Sequence, residues 1–135
     1  MGKSQRYFYG KTDKLKSRKV IDLIFSKGKS FSNFPFRVIW LPVANNAVLQ
    51  TGIAVSSRNF KKAVDRNRIK RLMREAYRLQ KNELAESLIS RKITLAVFIL
   101  YIGKEMPAYD VVFEKFTKII SRLIKITDAA IEESV

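Results

Sequence analysis

The segment from Asp65 to Leu84, DRNRIKRLMREAYRLQKNEL, constrains this chain more than any other. At about 100° per residue, Ile69, Leu72, Met73, Ala76 and Leu79 gather within roughly 60–80° of a centre near Ala76. Asn67, Lys70, Arg71, Arg74, Arg78 and Lys81 take the opposite arc, and Arg66 and Arg68 flank the first turn. Such a segment folds as a helix with a narrow apolar stripe, which a sheet must cover. A solvated helix face ordinarily mixes charge signs at i,i+4 spacing. This one carries only Glu75 at its edge until Glu83. Like charges crowded together repel, and cations in a first turn oppose the helix dipole. The free N–H groups of that turn suit a phosphate, so the broken local rule points to a polyanion.

The flanking sequence supplies the sheet. Ser17–Lys27 predicts a short helix with Val20, Ile21, Ile24 and Phe25 at helical spacing and Gly28 at its end. Residues 36–41, between Pro35 and Pro42, are β-branched and aromatic and predict a strand. A turn at Asn45-Asn46 and a second strand over Val48–Val55 follow. A basic loop, Ser56–Lys62, leads into the long helix, with Asp65 as a candidate cap. Lys92–Ile102 is nearly all apolar, as expected of a strand covered on both faces. In a final helix capped by Asp110, Val112, Phe113, Phe116, Ile119, Ile120, Leu123 and Ile124 form the apolar stripe. The expected fold is α+β, an α-β sandwich of order α-β-β-α-β-α, with an extra short strand near Ser30–Asn33. One domain spans 1–135, with a loose arm over 1–10 and an acidic, solvated tail over 127–135. The base rate for a parallel βαβ crossover is right-handed.

Composition then narrows the chemistry. Lysine and arginine outnumber acids 27 to 12, a net charge of +15. The partner is a polyanion: nucleic acid, an anionic membrane or an acidic protein. With no histidine and no cysteine, the chain lacks the usual neutral-pH base, thiolate metal sites and every Ser-His-Asp arrangement. The carboxylates are scattered, so neither a catalytic centre nor a protein-held metal is expected. No apolar run suits a signal peptide or a membrane span, so a cytoplasmic protein is expected.

Arg66-Asn67-Arg68-Ile69-Lys70-Arg71-Leu72-Met73-Arg74-Glu75-Ala76-Tyr77-Arg78 resembles the RNR signature of the bacterial ribonuclease P protein family. Two more segments agree in order: Lys14-Leu15-Lys16 with Ile24-Phe25 and Lys27-Gly28-Lys29-Ser30, and Thr51-Gly52-Ile53-Ala54-Val55-Ser56. The resemblance covers about Lys11–Lys125. It implies a left-handed βαβ crossover, similar to the second domain of ribosomal protein S5, in place of the right-handed base rate. It also implies the subunit of a holoenzyme whose RNA, using Mg²⁺, removes the 5′ leader of precursor tRNA. Partners would be ribonuclease P RNA and precursor tRNA, with no membrane and no obligate protein partner.

Carried over by position, Arg58, Arg66, Asn67, Arg68, Lys70, Arg71, Arg74 and Arg78 would contact the catalytic RNA. Phe25, Lys29 and Phe36 would line the leader cleft, where an aromatic ring stacks on any base. Four positions depart from the family pattern. Ile21 stands where a second aromatic is common, Ile39 occupies a strand position often aromatic, and Ser57-Arg58 replaces two lysines. A less aromatic cleft is therefore expected. The rival reading is a structural RNA-binding protein, such as a ribosomal protein or assembly factor; a membrane-surface module is more remote.

Overall fold

Alternation along the strand Leu95–Tyr101 organises the molecule. Leu95, Val97, Ile99 and Tyr101 point to one side of the sheet, while Ala96 and Phe98 pack on the other. In this computed structural model, which describes residues 14–15, 17–43 and 48–134, the order is α1 (Arg18–Lys27), β1 (Lys29–Asn33), β2 (Phe36–Pro42), β3 (Leu49–Val55), α2 (Ala63–Arg91), β4 (Leu95–Tyr101) and α3 (Tyr109–Ser134). The short strand expected near Ser30 is β1. The strands lie in the order β1-β2-β4-β3, with β3 and β4 parallel and the other pairs antiparallel. Helix α2 therefore joins two adjacent parallel strands, as a βαβ unit requires. The Asn45-Asn46 turn and the 1–10 arm lie outside the described residues.

The two faces of the sheet are covered unequally. Helices α2 and α3 close one face over a large core that includes Phe36, Ile69, Met73, Tyr77, Leu84, Ile99 and Phe116. Deep in it, the Thr51 and Tyr77 hydroxyls hydrogen-bond at 2.6 Å, so two buried polar groups satisfy each other. Among the described residues the opposite face receives α1 and the segment at Leu15, around a small core of Leu15, Ile24, Ile39 and Ala96. Leu15 donates its N–H to the Thr51 carbonyl at 3.2 Å, laying that segment beside β3. Ser17 caps α1 by accepting from the Val20 N–H at 3.4 Å.

Several expectations change. Helix α2 runs to Arg91, seven residues past Leu84, because Leu84 and Leu88 continue its buried line and nothing breaks it until Lys92 turns left-handed at φ 58°. Its N-cap is Lys62, with no side-chain cap bond, so Asp65 sits inside the first turn. There its negative charge complements the positive end of the helix dipole. Asp110 likewise lies within the first turn of α3, accepting from the Val111 N–H at 3.0 Å. The tail expected from residue 127 is the end of α3: Thr127 is buried, and Asp128 pairs with Arg91 of α2. Strand β4 is not covered on both faces throughout, since Phe98 and Leu100 are only half-buried.

Candidate nucleic-acid interface

The exposed side of α2 carries the cations, in a pattern close to the expected one. Ile69, Met73, Tyr77, Lys81, Leu84 and Leu88 are buried in succession along the helix. A row built mostly from i+4 steps is inclined to the helix axis, so the buried line drifts around the helix. That drift carries Lys81 inward, to 7 % exposure, and leaves Leu79 40 % exposed. Lys81 therefore leaves the basic face, its long stem packing among apolar neighbours. Leu79 leaves the stripe.

The other predicted residues divide by what they already hold. Asn67, Arg68, Arg71 and Arg74 are exposed, and Lys70 is half-buried. None of the cations among them forms an ion pair among the described residues. Arg78 grips Glu75 in a two-pronged pair, Nε to Oε1 at 3.1 Å and Nη2 to Oε2 at 2.6 Å. Those hydrogen bonds hold the Glu75 carboxyl below its ordinary range. The one acid on this face is thus occupied by a single arginine. Arg66 is also committed, donating from Nη1 to the Phe60 and Lys61 carbonyls at 2.7 and 2.8 Å. Its part is to fasten the basic loop to the first turn of α2. Arg58, exposed on that loop, sits beside Asn59, whose amide donates to the Ile102 and Gly103 carbonyls at 3.3 and 3.2 Å.

The predicted cleft residues do not come together. Phe36 is fully buried in the helix-covered core, edge-on to Tyr101 and Phe116 at 5.1–5.4 Å between centroids. Strand alternation turns it inward, so it is a core residue and not a cleft residue. Lys29 points to that same side of the sheet, its ammonium 5.9 Å from the Trp40 ring. Phe25 alone of the three belongs to the opposite face, 54 % exposed on α1.

That opposite face contains a platform absent from the sequence expectation. Phe98 of β4 meets Phe25 edge-to-face, with centroids 5.1 Å apart and planes at 62°. Its ring packs against Gly52, its partner on β3; a Cβ at Gly52 would stand 2.8 Å from the ring. The next row across the sheet is open: exposed Ser32 and Arg37, then half-buried Leu100 and Ala54. Beyond it Leu100, Ile102, Arg58 and Lys104 line a shared groove. Two rings, a strand floor and three cations thus share one face of the sheet, which α1 alone of the described helices covers in part. The signal for Phe98 was its place between inward-facing Val97 and Ile99, opposite a glycine.

This arrangement can neutralise phosphates and stack bases. Among the described residues no three Asp or Glu side chains gather in a group that could hold an ion. Likewise, no helix among them is long and apolar enough to cross a membrane.

Comparison with known proteins agrees. Residues 9–124 match the family model described as Ribonuclease P. The chain is 33% identical over 115 residues to the ribonuclease P protein component of Porphyromonas gingivalis, covering 84% of each. With that of Clostridioides difficile the identity is 32% over 123 residues, covering 91% of this chain and 98% of the relative. The fold superposes on the RNase P protein of Thermotoga maritima with a TM-score of 0.65 at 26% identity, covering 81% of this chain and 96% of that one. For the Staphylococcus aureus RNase P protein the score is 0.66 at 21% identity, with 87% and 96% covered. The chain belongs to the bacterial ribonuclease P protein family, whose members are components of a ribonuclease that processes the 5′ ends of tRNA.

Proposed function

We propose that this chain binds ribonuclease P RNA through the exposed side of α2 and presents the Phe25–Phe98 face to the 5′ leader of precursor tRNA. The observation that carries the reading is the set Asn67, Arg68, Arg71 and Arg74, exposed together with no ion pair among the described residues. Arginine forks match phosphate geometry in pairs of hydrogen bonds and also stack on unpaired bases. The chain offers no histidine or cysteine. Its role is therefore docking and substrate positioning, in the bacterial cytoplasm. The cleavage chemistry, with its Mg²⁺, belongs to the RNA, and no step is assigned to a metal held by this protein.

On the leader side, Phe25 and Phe98 give a base two ring surfaces, while Arg37, Arg58 and Lys104 stand where a strand's phosphates would pass. Reconstitution tests the reading. Added to bacterial ribonuclease P RNA at low Mg²⁺, the protein should speed 5′ leader removal. An unchanged rate, together with tight binding to ribosomal RNA, would make it a structural RNA-binding protein instead.

A further inference from the structure

Away from α2 and the open sheet face, the most single-signed surface is on α3. Lys118, Arg122 and Lys125 are exposed there and Lys115 is half-buried. At i, i+3, i+7 and i+10 they form one line, flanking the buried stripe of Phe116, Ile119 and Leu123 on its β1 side. None of the four forms an ion pair among the described residues. Glu114 stands at one end of the line, and Asp128, at the other, is engaged by Arg91. The Arg122 guanidinium is held 4.5 Å from the Phe31 ring centroid, which fixes a planar donor in place.

At the Lys115 end the line meets a groove of about 670 Å³ between the β1–β2 turn and the loop after β4. Phe34, 67 % exposed, lines it with Met106 and Val111. Cations in a row beside an exposed ring are what a single nucleic-acid strand needs, phosphates on the row and a base on the ring. Ten residues of helix extend about 15 Å, room for more than one phosphate. A membrane-surface helix would instead present a continuous apolar face outward. The surface is also separate from the α2 face. Helix α3 packs at β1, where the Asn33 amide donates to the Lys115 carbonyl at 3.4 Å, whereas α2 packs at β3 on the far edge of the sheet.

We propose that the Lys115–Lys125 line of α3, ending at Phe34, is a second RNA-binding surface for a single-stranded segment. Its phosphates follow the helix, and one base stacks on Phe34. The test is fluorescence anisotropy of the full chain with a labelled oligouridylate, over a salt series. Four proteins are compared: wild type, Lys118→Gln/Lys125→Gln, Phe34→Ala and Arg71→Glu/Arg74→Glu. Neutralising Lys118 and Lys125 should weaken binding and flatten the log–log salt dependence by about 1.4, at ~0.7 per single-strand phosphate contact. A 4-thiouridine oligonucleotide should cross-link to the peptide containing Phe34, and Phe34→Ala should lose that product. Unchanged affinity and slope in Lys118→Gln/Lys125→Gln, with an unchanged melting curve, would overturn the proposal. So would binding to phosphatidylserine vesicles without binding to oligouridylate. Loss confined to Arg71→Glu/Arg74→Glu overturns this proposal and leaves the α2 reading standing; loss confined to the α3 variants supports the proposal, and the α2 reading is judged separately by binding to ribonuclease P RNA.

Discussion

Phe36 and Phe98 lie on the antiparallel neighbours β2 and β4, on opposite faces of one sheet, and have opposite fates. Phe36 is sealed under α2 and α3 with Tyr101 and Phe116 against it. Phe98 lies on the side that α1 only partly covers, half-buried against the exposed Phe25. Residue type does not distinguish them; the layer above does. Among the described residues, two helices make a core on one side, and a single helix of ten residues leaves a platform on the other. The first face holds the larger core, and the second is the one proposed for the leader strand.

The comparison breaks most easily at Phe36. Phe36→Ala should cost about 3–5 kcal/mol of stability, because the cavity it leaves cannot collapse. Chemical denaturation measures this, and a loss below about 1 kcal/mol would mean the helix-covered face is not the stabilising one. Next is Arg71→Glu/Arg74→Glu. Both positions are exposed, so the circular-dichroism melt should be retained while affinity for ribonuclease P RNA falls and its salt slope drops by about 2. Loss of the melting transition would show these arginines to be structural. The smallest effect is expected at Glu75. Its carboxyl is held low by hydrogen bonds from Arg78, so as pH falls the pair opens at a lower pH than a free glutamate would protonate. Glu75→Gln removes an acid from the basic face and breaks its ion pair with Arg78, so RNA affinity should rise modestly near neutral pH. An affinity that falls would mean the pair orients Arg78 for binding.

The sequence reveals periodicity better than depth. The basic face of α2 was legible because Asn67, Lys70, Arg71 and Arg74 share an arc without acids. The inward turn of Lys81 was not, since it depends on the helix leaning along a four-residue row and on α3 covering its second half. Helix α2's extension to Arg91 was readable in Leu84 and Leu88 at i,i+4 spacing. On the sheet, alternation would have separated Phe36 from Phe25, but only once it was clear which face each helix covers. Lys29 shows the same limit, because its side depends on its pairing with Trp40. Phe98 was hidden inside an apolar run, where a ring on a platform and a ring in a core read alike.

Affinity of the reconstituted enzyme for precursor tRNA, with and without its 5′ leader, tests the central claim most directly. Wild-type protein should favour the leader-bearing form. Phe25→Ala/Phe98→Ala should lose about 1–3 kcal/mol of that preference per stacked base, while its affinity for ribonuclease P RNA stays as it was. An unchanged preference in a variant that still melts cooperatively would contradict the account and leave the open face of the sheet without a role in the leader.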